Sequence, residues 1–321
     1  MTIWALTSYF NPKRFRRRYQ NYQRFRAALK LPLLTVQWAQ DGAFELGPGD
    51  SDRLISVAGG DLMWQKERLL NLALAELPPA CDAVVWLDCD IRFEDDGWIA
   101  GLDDALGRAR VVQLFSQVVH LDPGGGPAPL LVRESLAAAF ARNTDPRLGR
   151  WLQSGASKPG NGVGDEASER RRLAERPSSG HAWAAHRSLL HDHGLYDACI
   201  WGVGDMAIAL AALGHPNLFL ARFPLNPAQQ AHYRAWADRF AAATAGAVGL
   251  LPSRIQHLFH GNLANRQYQD RLRWLADSGF DPAKDLVLDG QGLWRWRSGF
   301  RALERRMSDY FEHRGEDSEA R

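Results

Sequence analysis

Runs of β-branched and aromatic residues alternate with stretches of helical period over the first ninety positions. Thr2 to Tyr9 reads as a strand closed by the turn-prone pair Asn11-Pro12. Residues 13–30 then place Phe15, Tyr19, Tyr22, Phe25 and Leu29 at helical spacing, with Arg14, Arg16, Arg17, Arg18 and Arg24 between them. Leu33 to Trp38 predicts a second strand, and Leu62 to Leu77 a helix that stops before Pro78-Pro79. Ala83-Val84-Val85-Trp86-Leu87 is a buried strand that ends abruptly in Asp88-Cys89-Asp90. This β-α-β-α-β order predicts an α/β fold around a mainly parallel sheet, with ligands at the carboxyl ends of its strands.

Farther along, Val111 to His120 reads as another strand, followed by a turn at Gly124-Gly125-Gly126-Pro127. Residues 154–180 are polar, rich in Gly, Ser, Arg and Glu, and without apolar period, which predicts a long loop of the kind that serves as a mobile lid. Helices are expected over His186 to His193, Asp205 to Leu213, residues 228–246 and Ala264 to Ser278. The charged tail from about 303 is expected to fray. No internal repeat is present.

Composition narrows the class. A chain of 321 residues with 45% hydrophobic and 24% charged positions has room for one large domain or two small ones. Its formal net charge of +2 gives no argument for a polyanion partner. Cys81, Cys89 and Cys199 are odd in number and lack metal-ligand spacing, so a reducing compartment, the cytoplasm by default, is expected. Met1 to Phe10 lacks the basic start of a signal peptide, and no apolar run approaches the ~20 residues of a membrane helix.

Candidate chemistry concentrates at Asp88-Cys89-Asp90. Alternate strand side chains share a face, so both carboxylates are expected on one side, where they can hold a divalent cation that serves a phosphate. The spacing alone means little: Asp50-Ser51-Asp52 repeats it in a loop, and the strand in front of the second pair is what sets it apart. A phosphatase of the haloacid dehalogenase type needs Thr or Val two positions on, where Arg92 stands, and no P-loop precedes the strand. Gly202-Val203-Gly204-Asp205 precedes an Ala/Leu helix; Asp205 there is either a helix cap, which periodicity favours, or a general base on an acceptor hydroxyl. His257 and His260, three apart before Gly261, are structural or metal-ligating, and imidazole added to carboxylate would suit Mn²⁺. Arg266, Tyr268 and Arg271 follow, the arginines placed to meet phosphate or solvent. The basic helix at 13–30 fits nucleic-acid contact or an amphipathic helix with solvated arginines; its single aromatic stripe favours the second.

In chain order, several segments together resemble the GT-A class of nucleotide-sugar glycosyltransferases, especially family 2-like and galactosyltransferase-like members. They are Thr7-Ser8-Tyr9-Phe10-Asn11-Pro12, Trp64-Gln65-Lys66-Glu67-Arg68 with Asn71, Trp86-Leu87-Asp88-Cys89-Asp90, Gly180-His181-Ala182-Trp183, Gly202-Val203-Gly204-Asp205 and His257-Leu258-Phe259-His260-Gly261. The resemblance implies a Rossmann-like mixed sheet in a catalytic domain over 1–265, then a helical extension with a charged tail over 266–321. It implies Thr7, Ser8, Lys66, Asn71 and Asp88 at the donor, with Asp88 near ribose or metal. Asp90 would ligate Mn²⁺ or Mg²⁺ together with His257 or His260, the latter slightly favoured. Asp205 would be the base, and Trp183, Trp201 and Gly204 would border the sugar.

The implied donor is a UDP-sugar, and glycan, protein, lipid and modified DNA base all stay open as acceptors. One departure is that Met206 follows Asp205 where the galactosyltransferase-like pattern has further acids, so retention stays open beside inversion. A nucleotidyltransferase on the same acid pair is the enzymatic rival, although the segment after Thr7 lacks its Gly-rich loop. The non-enzymatic rival is a nucleic-acid-binding protein using the basic helix, and a transferase acting on a modified DNA base would combine the two.

Overall fold

β1 (Ile3–Phe10), α1 (Arg16–Ala28), β2 (Leu33–Ala39), β3 (Arg53–Ala58), α2 (Lys66–Ala75) and β4 (Ala83–Leu87) open the fold. The structure is a computed structural model that describes residues 1–123, 129–142, 165–267, 270–297 and 299–318. β1 pairs in parallel with both β2 and β4, and β2 in parallel with β3. All five residues of β4 are buried. Period two divides them between layers: Val84 and Trp86 join one apolar cluster, and Ala83, Val85 and Leu87 the other. Val84, Val85 and Leu87 each contribute about 1.5–3 kcal/mol by leaving water. The acids therefore come only where the strand emerges from both layers.

Next come β5 (Ile91–Phe93), α3 (Gly97–Arg108), β6 (Val111–Gln113), β7 (Gln117–His120), β8 (Leu131–Glu134), α4 (Leu136–Arg142) and α5 (Glu166–Ala174). The single strand expected over Val111 to His120 is thus two strands in two sheets. Leu114 and Phe115 are wholly buried between them, so the apolar run continues while the pairing partner changes. β9 (Ala182–His186) runs antiparallel between β4 and β6, which makes the sheet mixed. Expected residues 154–180 hold α5, capped by Asp165, whose side chain accepts from the Ser168 N–H at 2.7 Å. Positions 154–164 and the turn at Gly124–Pro127 lie outside the described residues.

The remaining elements are α6 (Arg187–His193), α7 (Gly204–Ala212), α8 (Pro216–Arg222), α9 (Pro227–Thr244), β10 (Val248–Leu250) and β11 (Arg254–His257), then α10 (Asp270–Asp277), α11 (Pro282–Asp285), β12 (Leu286–Leu288), β13 (Trp294–Trp296) and α12 (Arg301–His313). α9 starts where its sequence says, with Pro227 at the first turn and a reciprocal capping box between Asn226 and Gln229. The main sheet has the order β10-β6-β9-β4-β1-β2-β3, and a second sheet the order β5-β11-β7-β8.

The tail differs from its expectation. Leu303, Met307, Tyr310 and Phe311 are buried at helical spacing in the same apolar cluster as Leu6 and Trp86, so α12 is held rather than frayed. Among the described residues no helix is long and apolar enough to cross a membrane.

Candidate active site

The carboxyl ends of β1 and β4 and the start of the antiparallel β9 open onto one cavity of about 290 Å³. Ser8 and Phe10 reach it from β1, Asp88 and Asp90 from the end of β4, and His181 from the turn into β9. The second sheet supplies the opposite wall. β5 pairs with β11 so that His257 lies opposite Ile91, and the Leu258 N–H donates to the Asp90 carbonyl at 2.8 Å. That pairing holds Asp90 against the histidines.

Asp90, His257 and His260 offer one ligand atom each within 4.8 Å of one another. His260 Nε2 is 3.2 Å from Asp90 Oδ2, and His257 Nε2 is 3.7 Å from Asp90 Oδ1. The two imidazoles are 3.1 Å apart at their Nε2 atoms. Burial, reinforced by the neighbouring His120, pushes His257 well below the usual histidine range, and burial with the Arg266 charge lowers His260 to about 4. Both are therefore neutral near pH 7, the state in which imidazole binds a metal. Asp90 Oδ1 is buried and has no hydrogen-bond partner among the described residues. A divalent cation fits this group: it supplies the partner that Oδ1 lacks, on a carboxylate and imidazole donor set that suits Mn²⁺. Behind the cluster, His120 Nδ1 meets His257 Nδ1 at 3.1 Å and fixes that ring.

Asp88 faces a different set. It pairs with Lys66 at the start of α2 and lies 3.4 Å from His181 Nδ1. Burial alone would raise its carboxyl, but Lys66 and then His181 outweigh this and hold it below the usual range. The two acids of the motif thus part company, Asp88 to the lysine and Asp90 to the histidines.

On the α7 side, Val203 at φ +68° is the N-cap of the helix and no side chain caps it. Asp205 lies in the first turn, where the helix dipole favours an anion, and its Oδ2 accepts from the Ser179 hydroxyl at 3.1 Å. Its carboxylate lines the cavity. Two glycines make the approach possible. A Cβ at Gly180 would stand 2.5 Å from Asp205 Oδ2, and one at Gly204 would stand 2.5 Å from the Glu67 carboxyl.

Glu67 is the residue that the sequence reading passed over. Burial raises it to about 7, with Asp205 adding and Lys66 opposing. A carboxyl raised in the folded state binds more protons than in the unfolded chain between its ordinary value and about 7. Its favourable contribution is complete below about pH 4.5 and is lost as pH rises through 7, on the order of 3 kcal/mol in all. Glu67→Gln is expected to flatten the fall in stability between pH 5 and 8, read as the midpoint of urea unfolding; parallel profiles for the two proteins would contradict the shift.

The structure brings Ser8, Lys66, Asp88, Asp90, Asp205, His257 and His260 onto one cavity. It places other expected residues off its wall. Thr7 is fully buried and donates from Oγ1 to the Leu87 carbonyl at 2.7 Å. Asn71 ties α2 to the backbone of Leu195 and to Asp197. Trp183 stacks on Trp86, Trp201 is buried against Trp274, and Gly204 lies beneath Glu67. The apolar lining is instead made by Phe10, Trp64, Met206, Phe223 and Pro224.

Arginines supply much of the remaining wall, among them Arg266 and Arg271, which the sequence reading placed to meet phosphate or solvent, and Arg314, which it passed over. Arg271 donates to the Tyr310 hydroxyl at 2.7 Å, Arg266 meets His260 Nε2 at 2.9 Å, and Arg314 packs over Trp64 at 5.5 Å. The signal for Arg18 was its place on α1, yet it turns inward to Glu316 while Arg14 and Arg26 pair with Asp41 and Asp52. Tyr268 lies outside the described residues.

No protein-family model matches the chain, and no curated protein matches it. Among solved structures it is similar to TarS residues 1–349 of S. aureus in complex with UDP, at 8% identity and TM-score 0.38, covering 84% of this chain and 63% of that one. It is also similar to the catalytic domain of Drosophila β1,4-galactosyltransferase 7, at 10% identity and TM-score 0.39 over 94% and 98% of the two chains. A third is a protein of Desulfovibrio desulfuricans G20 described as a nucleotide-diphospho-sugar transferase, at 12% identity and TM-score 0.36 over 97% and 96%. The chain spans less than two thirds of the TarS structure. Likenesses this loose assign no chemistry, which has to come from the cavity itself.

Proposed function

We propose that the protein is a divalent-metal-dependent glycosyltransferase that moves a sugar from a nucleotide-diphosphate donor, a UDP-sugar by its motif resemblance, to an acceptor hydroxyl with inversion. One observation carries the reading: a single cavity at the strand ends holds a neutral-imidazole and carboxylate ligand group at Asp90, His257 and His260, and a separate carboxylate at Asp205. Asp90 with the two histidines would hold Mn²⁺ or Mg²⁺. Such a cation, when bound, offsets the charge that develops on a leaving diphosphate.

The remaining work falls to side chains of this chain. Asp205 takes the proton of the acceptor hydroxyl as its oxygen bonds to the anomeric carbon and the bond from that carbon to the diphosphate oxygen breaks. Ser179 orients the Asp205 carboxylate through its hydrogen bond. Lys66 remains charged beside Asp88, because the carboxylates of Asp88, Glu67 and Asp205 outweigh the burial that would lower its pKa. It supplies fixed positive charge on the donor side. Trp64, with Arg271 and Arg314 over its ring and Phe311 stacked on it, holds these two cations at the cavity wall, where they can meet donor phosphates. The three free cysteines suit a reducing compartment.

The test is turnover of a panel of nucleotide sugars by the purified protein, first as slow hydrolysis and then with acceptors. UDP-sugar turnover that stops in EDTA and returns with Mn²⁺ is expected. Turnover indifferent to EDTA would remove the metal from the reading, and no turnover of any nucleotide sugar would remove the transferase.

A further inference from the structure

The segment after α12 reaches the back of the ligand cluster through Glu316. Glu316 is 1% exposed and receives Arg18 bidentately, from Nε at 2.9 Å and NH2 at 2.5 Å, while Arg314 Nε reaches its Oε1 at 2.7 Å. Its neighbour Asp317 accepts the first free backbone N–H groups of α1, from Arg16 at 3.0 Å and Arg17 at 2.8 Å. The seat is tight on the other side too. Gly261 has φ +95°, and a Cβ there would stand 2.9 Å from the Arg314 carbonyl oxygen.

Ring chemistry says why this matters for His260. A neutral imidazole carries one proton, and it can ligate through Nε2 only if that proton is on Nδ1. In the structure Nδ1 faces Arg314 NH2 at 3.2 Å, and a guanidinium only donates. Nε2 faces a donor of the same kind, Arg266 NH2 at 2.9 Å, so the arginines favour neither tautomer and the choice falls to the carboxylates, with Asp90 Oδ2 3.2 Å from Nε2. The carboxylate that Nδ1 also faces is Glu316, with Oε1 at 3.8 Å.

Resting on the metal reading above, we infer that Glu316 is a positioning residue for the metal site: it accepts the Nδ1 proton of His260 and so frees Nε2 for the cation. Arg314 keeps its ion pair with Glu316 while giving up His260. The tail is in this sense part of the site, although it never touches the substrate.

Calorimetric titration of the metal-stripped full chain with Mn²⁺ tests this. Glu316→Gln keeps the shape and removes the charge, and it is expected to weaken Mn²⁺ binding by about 10- to 100-fold; it also lowers the melting temperature of the metal-free protein, because Arg18 and Arg314 lose their buried carboxylate. In long-range ¹H–¹⁵N spectra of the Zn²⁺-loaded protein the His260 Nδ1–H resonance is expected to shift between the wild type and Glu316→Gln, a change in its acceptor that a merely structural tail would not produce. Equal Mn²⁺ affinities for the variant and a wild type that binds would overturn the inference and leave the metal site standing. A wild type that binds no metal would overturn both. If Glu316→Gln does not fold, Arg18→Met/Glu316→Met replaces the buried ion pair with apolar side chains and is read in the same way.

Discussion

Asp90→Ala is expected to abolish metal-dependent nucleotide binding while leaving the metal-free protein as stable as before. Asp90 supplies the carboxylate of the ligand group, so its loss removes the anionic ligand and leaves two neutral imidazoles. Outer-shell changes at metal sites cost about 10- to 100-fold in affinity, and a direct ligand should cost more than that. Stability should not follow, because Asp90 Oδ1 is buried without a hydrogen-bond partner, an arrangement that costs free energy in the metal-free state. Calorimetry with Mn²⁺ and thermal melting together read both parts. Full metal affinity in Asp90→Ala would place the cation elsewhere, with Asp88 the first alternative.

Asp205→Asn is expected to spare donor binding and to reduce transfer by about 10²- to 10⁴-fold, the range that a positioned base contributes. Asparagine can still accept from Ser179, so the helix start and the cavity shape should persist. The helix-cap explanation is already weakened, since Val203 occupies the cap and the Asp205 side chain turns to the cavity. Separate measurement of kcat and of donor KM decides the matter. Normal turnover with a retained anomeric configuration would make Asp205 a bystander and the enzyme a retaining one.

Much of the frame was legible because it follows from period and termination. The β4 run could only be a strand buried on both faces, and acids at its end had to emerge at a sheet edge. His257 and His260 were legible as a pair, but their meeting with Asp90 depends on β5 and β11 pairing across more than half the chain. Tertiary pairing of that kind leaves no local pattern. β3 escaped notice because its residues are mostly half-buried or exposed, and α3 because three glycines and two acids dilute its apolar stripe. Glu316 was hidden for a different reason: an acid in a charged tail reads as solvated, and only Arg18 and Arg314 make its burial tolerable. The tryptophans were read too generously. Trp183 and Trp201 are core, as most large aromatics are, whereas Trp64 at the mouth of α2 faces the cavity.

The most direct measurement is calorimetric titration of the purified protein with UDP and with GDP, each in Mn²⁺ and in EDTA. A glycosyltransferase with its cation on Asp90, His257 and His260 binds one of the nucleotides, UDP by expectation, in Mn²⁺ and loses that binding in EDTA. No binding of either nucleotide under both conditions would contradict the transferase and return attention to the basic face of α1 and to nucleic acid.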